Sequence, residues 1–182
     1  MLRISPMFIP ALLAAVNYLP ASEFVGFVTA VAAHEAGHIF AVKLLRRRVC
    51  GAALTPFGVT LQCPLSSYRD DMLCAAAGPA ASFLFAAAAL VGASAYTASP
   101  AAYISLMLGA LNLLPAQGLD GGVILSSYLS LKSGLPPPHR VEGCVNAAAV
   151  FLLFSVSCFI LIGSGDNPTM LIFCLGLMMK EK

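Results

Sequence analysis

Charge is scarce in this chain. Only 10% of its 182 residues are Asp, Glu, Lys or Arg, where soluble domains carry about 25%. The apolar share is 59% against a usual value of about 45–50%, and one soluble core cannot absorb that excess. There is no basic tract with interleaved aromatic residues, which argues against a nucleic-acid partner. None of the six cysteines, Cys50, Cys63, Cys74, Cys144, Cys158 and Cys174, forms a C-x-x-C pair. Most stand in apolar runs, where a cysteine behaves as a small hydrophobe. Only Cys50 and Cys63 are worth weighing for a bridge or a shared metal, and spacing alone is weak ground for either. No clear cleavage site follows the first apolar segment, which Pro6, Pro10 and Pro20 interrupt, so it reads as a retained span and not as a signal. No internal repeat is visible. Residues 1–182 are expected to form a single integral-membrane domain, with no room for an appended soluble domain.

What is present is a set of apolar blocks separated by short polar breaks, the pattern of a multi-pass membrane protein. Six segments stand out: Pro6–Ala21, Phe24–Leu45, Met72–Tyr96, Pro100–Leu114, Val141–Gly163 and Pro168–Met179. The fourth and sixth are short for a full crossing, as tilted, broken or re-entrant segments are. The expected fold is therefore all-α, a bundle of about six transmembrane segments. With both termini in the cytoplasm, every basic residue falls on the cytoplasmic side: Arg3, Lys43, Arg46, Arg47, Arg48, Arg69, Lys132, Arg140, Lys180 and Lys182. The opposite loops hold Glu23 and Asp166 and no basic residue. This obeys the positive-inside rule, and it reads Arg46–Arg48 as an interfacial anchor. Between the second and third segments, residues 50–63, "CGAALTPFGVTLQC", alternate loosely around Pro56 and Gly58 and read as a small β-hairpin. They are too apolar for a free loop and are expected to dip into the membrane. Residues 130–140 read as a proline-rich cytoplasmic linker.

The stretch "VAAHEAGHIFAVKL" sets His34, Glu35 and His38 inside the second apolar segment. Residues four apart share a helix face, so His34 and His38 can offer two imidazoles to one metal ion. Glu35 can reach a water there without being a ligand. This is the H-E-x-x-H pattern of zinc hydrolases, and ionisable groups inside a span are costly unless paired or functional. A catalytic zinc site wants a third protein ligand and an open position. His139 sits in the linker. Asp70, Asp71 and Glu142 suit helix starts, and Glu23 and Asp166 lie on the far side. Asp120 remains, in "LNLLPAQGLDGGVIL", after a span broken at Pro115 and Gly118. His38 is about 15 Å along a helix from Arg48 and Asp120 stands at the cytoplasmic end of its own span, so His38 and Asp120 both fall near the cytoplasmic third of the membrane. Taken alone, "LDGG" also suits an ordinary turn.

Together these pieces resemble the site-2 protease family of intramembrane zinc metalloproteases. "HEAGH" matches its H-E-x-x-H, and "NLLPAQGLDGG", Asn112 to Gly122, matches its N-x-x-P-x-x-x-L-D-G. "TPFGV" is similar to the Pro-Phe-Gly stretch of its membrane-dipping hairpin, and "AGPAAS" resembles its A-G-P-x-x-N. The layout is most similar to the sporulation-type six-span branch without a CBS domain. The resemblance implies one zinc per chain held by His34, His38 and Asp120, with Glu35 as catalytic base. It places Asn112, Phe57, Gly58 and Ser82 near substrate. Two positions depart from the family pattern: Ser82 stands where asparagine is common, and Val123 where arginine is.

The implied activity is hydrolysis of a peptide bond in or near a substrate's transmembrane segment. The unwound substrate would pair along the edge of the hairpin. The implied partners are such a substrate protein, the lipid bilayer, and regulatory membrane proteins or further copies of the chain, in a bacterial cytoplasmic membrane. The alternatives are a membrane metal-binding or transport protein, which wants polar groups spread along several spans, and an inactive helix-binding regulator, which does not need Glu35.

Overall fold

The structure is a computed structural model, and it describes residues 2–4, 20–48, 51–55, 58–62, 67–92, 100–136 and 139–164. The first and sixth apolar segments, Phe57, and the Cys50 and Cys63 pair lie outside the described residues, apart from Pro20 and Ala21 at a helix start.

Five helices are described: α1 Ala21–Leu44, α2 Tyr68–Gly92, α3 Pro100–Asn112, α4 Asp120–Ser133 and α5 His139–Ser164. Three of them, α1, α2 and α5, are long and apolar enough to cross a membrane. At 1.5 Å per residue α3 and α4 are about 20 Å each, short of a bilayer core of about 30 Å. They are two half-length helices on either side of a turn at residues 113–119. The expected fourth segment therefore ends early, at Asn112, and a helix absent from the sequence reading follows it. The expected linker shrinks accordingly, because residues 130–133 belong to α4 and 139–140 to α5. Four serines, Ser126, Ser127, Ser130 and Ser133, dilute the apolar character of α4. Three of them satisfy their hydroxyls on backbone carbonyls three or four residues earlier: Ser126 on Val123, Ser130 on Ser126 and Ser133 on Leu129. For Ser130, the buried one of the three, that makes burial tolerable.

Helix α2 is the hub and packs against α1, α3 and α4. The interfaces are built from small residues. A Cβ on Gly37 would strike the Ala77 carbonyl and lie 2.6 Å from the Ala81 methyl, and one on Gly109 would lie 3.1 Å from Ser82 Cβ. Buried apolar positions are mostly alanines, while Phe40, Leu84, Val91, Phe151 and Phe159 face outward. This arrangement, small inside and bulky outside, is how helices associate when the surrounding solvent is lipid.

Two short strands, β2 Gly51–Thr55 and β3 Gly58–Gln62, pair antiparallel with Ala53 opposite Thr60. A third strand, β1 Leu2–Ile4, which the sequence reading left unassigned, pairs parallel with β2. The order β1-β2-β3 leaves the outer edge of β3 without a strand partner among the described residues.

Helix α1 ends in a Schellman motif. The Arg47 N–H bonds the Val42 carbonyl at 2.9 Å and the Arg46 N–H bonds the Lys43 carbonyl at 3.0 Å, with Arg46 in the left-handed region at φ 51°. The reversal turns Arg47 inward, where its guanidinium pairs with Asp71 in the first turn of α2. Arg46 and Arg48 stay exposed. The reading of all three arginines as one surface anchor is therefore corrected for Arg47, while Asp71 stands at a helix start as expected and takes Arg47 as its partner.

Candidate metal centre

The helical period sets His34 and His38 one above the other on the face of α1 that meets α2. The turn after α3 brings Asp120 to them from the opposite side as the first residue of α4. His34 Nε2 lies 3.1 Å and His38 Nε2 3.3 Å from Asp120 Oδ2, and the two Nε2 atoms are 3.2 Å apart. Three atoms from two helices thus form a near-equilateral triangle. Bonds of about 2.0–2.1 Å to one tetrahedral zinc ion require ligand atoms about 3.3–3.4 Å apart, so the triangle has the size that a zinc ion needs.

The ring orientations support the same use. His38 Nδ1 donates to the Cys74 backbone carbonyl at 2.8 Å. A carbonyl only accepts, so the proton of a neutral His38 sits on Nδ1 and a lone pair on Nε2. His34 Nδ1 lies 2.9 Å from the hydroxyl of Ser82, which accepts in the same tautomer. Both Nε2 lone pairs then point at each other and at a carboxylate oxygen. Converging lone pairs in a largely buried place suit a cation between them. Outer partners of this kind orient metal-binding histidines generally.

Gly78 makes room for the pair. A Cβ there would run into the His38 ring and lie 2.9 Å from His34 Nε2. Two more glycines shape the turn that carries Asp120. A Cβ on Gly121 would strike the Leu113 and Leu114 carbonyls, and one on Gly122 the Ala116 carbonyl. The second half of "LDGG" is therefore required by close approach of the chain to itself, and the sequence was more than a generic turn.

Other expected site residues fall in various places. Glu35 follows His34 on α1 and is half-buried, with Oε2 out of contact with solvent. Asn112 ends α3, and its Nδ2 donates to the Leu108 carbonyl at 2.9 Å. Ser82 is fully buried and touches His34, not an open surface. Its own carbonyl accepts from Ser105 Oγ at 3.0 Å. Gly58 begins β3. Glu142 lies in the first turn of α5, as expected. Gly78 and the Cys74 carbonyl were not anticipated. "AGPAAS" carried the signal for Gly78, whereas a backbone carbonyl leaves none.

The fold and site define a helical membrane protein with a buried His-His-Asp centre of zinc dimensions. A family model described as Peptidase family M50 matches residues 93–156, a stretch that includes Asp120 but not the two histidines. A curated relative, zinc metalloprotease MJ0392 of Methanocaldococcus jannaschii, is 27% identical over 143 residues, which are 73% of this chain and 42% of the relative. The chain thus spans less than half the length of that relative. The solved structure of a site-2 protease from Methanocaldococcus jannaschii has the same fold, with a TM-score of 0.67 at 22% identity over 97% of this chain and 86% of that one. The chain is thus similar to peptidase family M50 over residues 93–156 and shares its fold with a site-2 protease. The curated relative is named a zinc metalloprotease, and His34, His38 and Asp120 here form a group that could hold such an ion.

Proposed function

We propose that the chain is an intramembrane zinc metalloprotease that cuts a peptide bond in or near the transmembrane segment of another membrane protein. The observation that carries this reading is the triangle of two imidazole nitrogens and one carboxylate oxygen, set at mid-length of α1 beside Glu35. Zinc bound there supplies a Lewis acid that polarises a carbonyl and a water. His34, His38 and Asp120 hold it. Glu35 accepts a proton from the attacking water at its carboxylate and returns it to the departing amide nitrogen, as a general base and then a general acid. Asn112 has a second N–H beyond the one spent on Leu108, which suits it to steady charge on the scissile oxygen. Gly58 belongs to the ribbon that receives substrate, and the outer edge of β3 offers its backbone to the unwound strand. Ser82 is better suited to orienting His34 than to touching substrate.

The same reading takes six crossings with both termini in the cytoplasm, supported by the placement of all ten basic residues, and a hairpin that dips into the bacterial cytoplasmic membrane. The broken α3–α4 pair makes one of those crossings. Among the described residues, the charged groups inside the long apolar helices gather at this one centre. That favours local chemistry over a transport path.

The test is to purify the chain and its Glu35→Gln variant in detergent, measure bound metal, and incubate both with a panel of transmembrane-segment peptides. One zinc per chain in both, with cleavage by the unaltered chain alone, supports the reading. Absence of zinc from both would overturn it.

A further inference from the structure

Asp120 is held in place from behind. The turn at residues 113–119 closes with few internal hydrogen bonds: the Ala116 N–H to the Leu114 carbonyl at 2.8 Å and the Leu119 N–H to the Ala116 carbonyl at 3.1 Å. Pro115 has no N–H to give. The Gln117 N–H leaves the turn and meets Asn146 Oδ1 on α5 at 2.7 Å. Asn146 is only 2% exposed, so this amide was brought into the interior for a polar task. Inside a bilayer an unmet backbone N–H costs several kcal/mol.

Among the described residues, helix α5 leans on this turn more than on the other helices, with which it packs sparsely. Ala149, Val150 and Leu153 of α5 form one cluster with Ala116 and Leu119 of the turn, joined by Leu111 and Leu114. Leu119 immediately precedes the ligand. On the side of Glu142 and Asn146 the turn borders a cleft of about 230 Å³, lined also by Pro115, Gln117, Gly118 and Gly122. Packing therefore does not fix the turn on that side, and the turn has space to shift if its polar tie is cut.

We propose that Asn146 is a positioning residue for the metal centre: it anchors the turn through Gln117 and so sets the place of Asp120, the one ligand that does not come from α1. This rests on His34, His38 and Asp120 being the ligands. Asn146 does not touch the metal or the substrate.

The experiment is a double-mutant cycle on the full chain in detergent, read as the zinc dissociation constant by chelator competition. The proteins are the unaltered chain, Asn146→Ala, Asp120→Ala and the double variant, with Asn146→Asp as the rescue that keeps the acceptor oxygen. Outer partners of metal ligands are worth about 10–100-fold in affinity. Asn146→Ala is expected to weaken zinc by about tenfold or more, Asn146→Asp to restore most of it, and Asn146→Ala to add almost nothing once Asp120 is gone. An equal loss in both backgrounds would mean general damage and would overturn the proposal, as would no loss at all. If Asp120→Ala binds zinc like the unaltered chain, the ligand reading itself fails. If Asp120→Ala weakens binding and Asn146→Ala does not, only the positioning role fails. Should Asn146→Ala not fold, Asn146→Leu fills the same space without the acceptor, and the same outcomes apply.

Discussion

The imidazole of His38 donates through Nδ1 to the backbone carbonyl of Cys74, across the interface of α1 and α2, at 2.8 Å. The acceptor is main chain, so the side chain at that position is not what orients the histidine. Cys74→Ala is expected to leave zinc affinity within about threefold of the unaltered chain, well inside the 10–100-fold range of a lost outer partner. Chelator competition checks it, and a large loss would show that the thiol matters.

Ser82 is the opposite case. Its hydroxyl is the partner of His34 Nδ1, and the residue is fully buried. Ser82→Ala should weaken zinc by about tenfold or more with the fold intact. If zinc holds and only the KM for peptide rises, Ser82 works on substrate, as the family pattern suggested.

Gly78 has no side chain because both histidines occupy the space that a Cβ would need. Alanine is the better helix former by about 1 kcal/mol, so Gly78→Ala should keep its helix content by circular dichroism while losing bound zinc. Full zinc occupancy in that variant would show that the imidazoles do not sit as described.

The Arg47–Asp71 pair is largely out of solvent, with side chains 7% and 20% exposed. Removing one partner of such a pair leaves the other without compensation, at a cost of about 3 kcal/mol or more. Arg47→Ala should therefore lower the unfolding midpoint in detergent by several degrees. Arg46→Ala and Arg48→Ala, at exposed positions, should change it little. Equal effects from all three would mean the pair does not form.

The edge of β3 that has no strand partner among the described residues gives a test of substrate docking. Side chains in a strand alternate, and so do the N–H groups that face the neighbouring strand and the open edge. Proline cannot donate. Of Thr60→Pro and Leu61→Pro, made separately, the one that removes the outward N–H should reduce cleavage sharply while zinc stoichiometry stays unchanged. Cleavage unaffected by both would exclude pairing along this strand.

The sequence by itself determined the local parts of this protein. Two histidines four residues apart need only one helix to share a face, and composition alone demands lipid for so many apolar residues. Asp120 could be singled out because few carboxylates stood at a suitable depth. Other features needed the tertiary structure, because they depend on what approaches from elsewhere in the chain. Helix α4 was hidden because its serines satisfy themselves on their own backbone, a property that hydropathy does not register. Three consecutive arginines look alike until the left-handed turn at Arg46 sends one of them inward. The Cys74 carbonyl carries no residue-type signal, and Gly78 shows its purpose only when two imidazoles lie against it. The distances that make His34, His38 and Asp120 one centre were set by α2 packing against both α1 and α4, and by a turn whose spare N–H reaches Asn146.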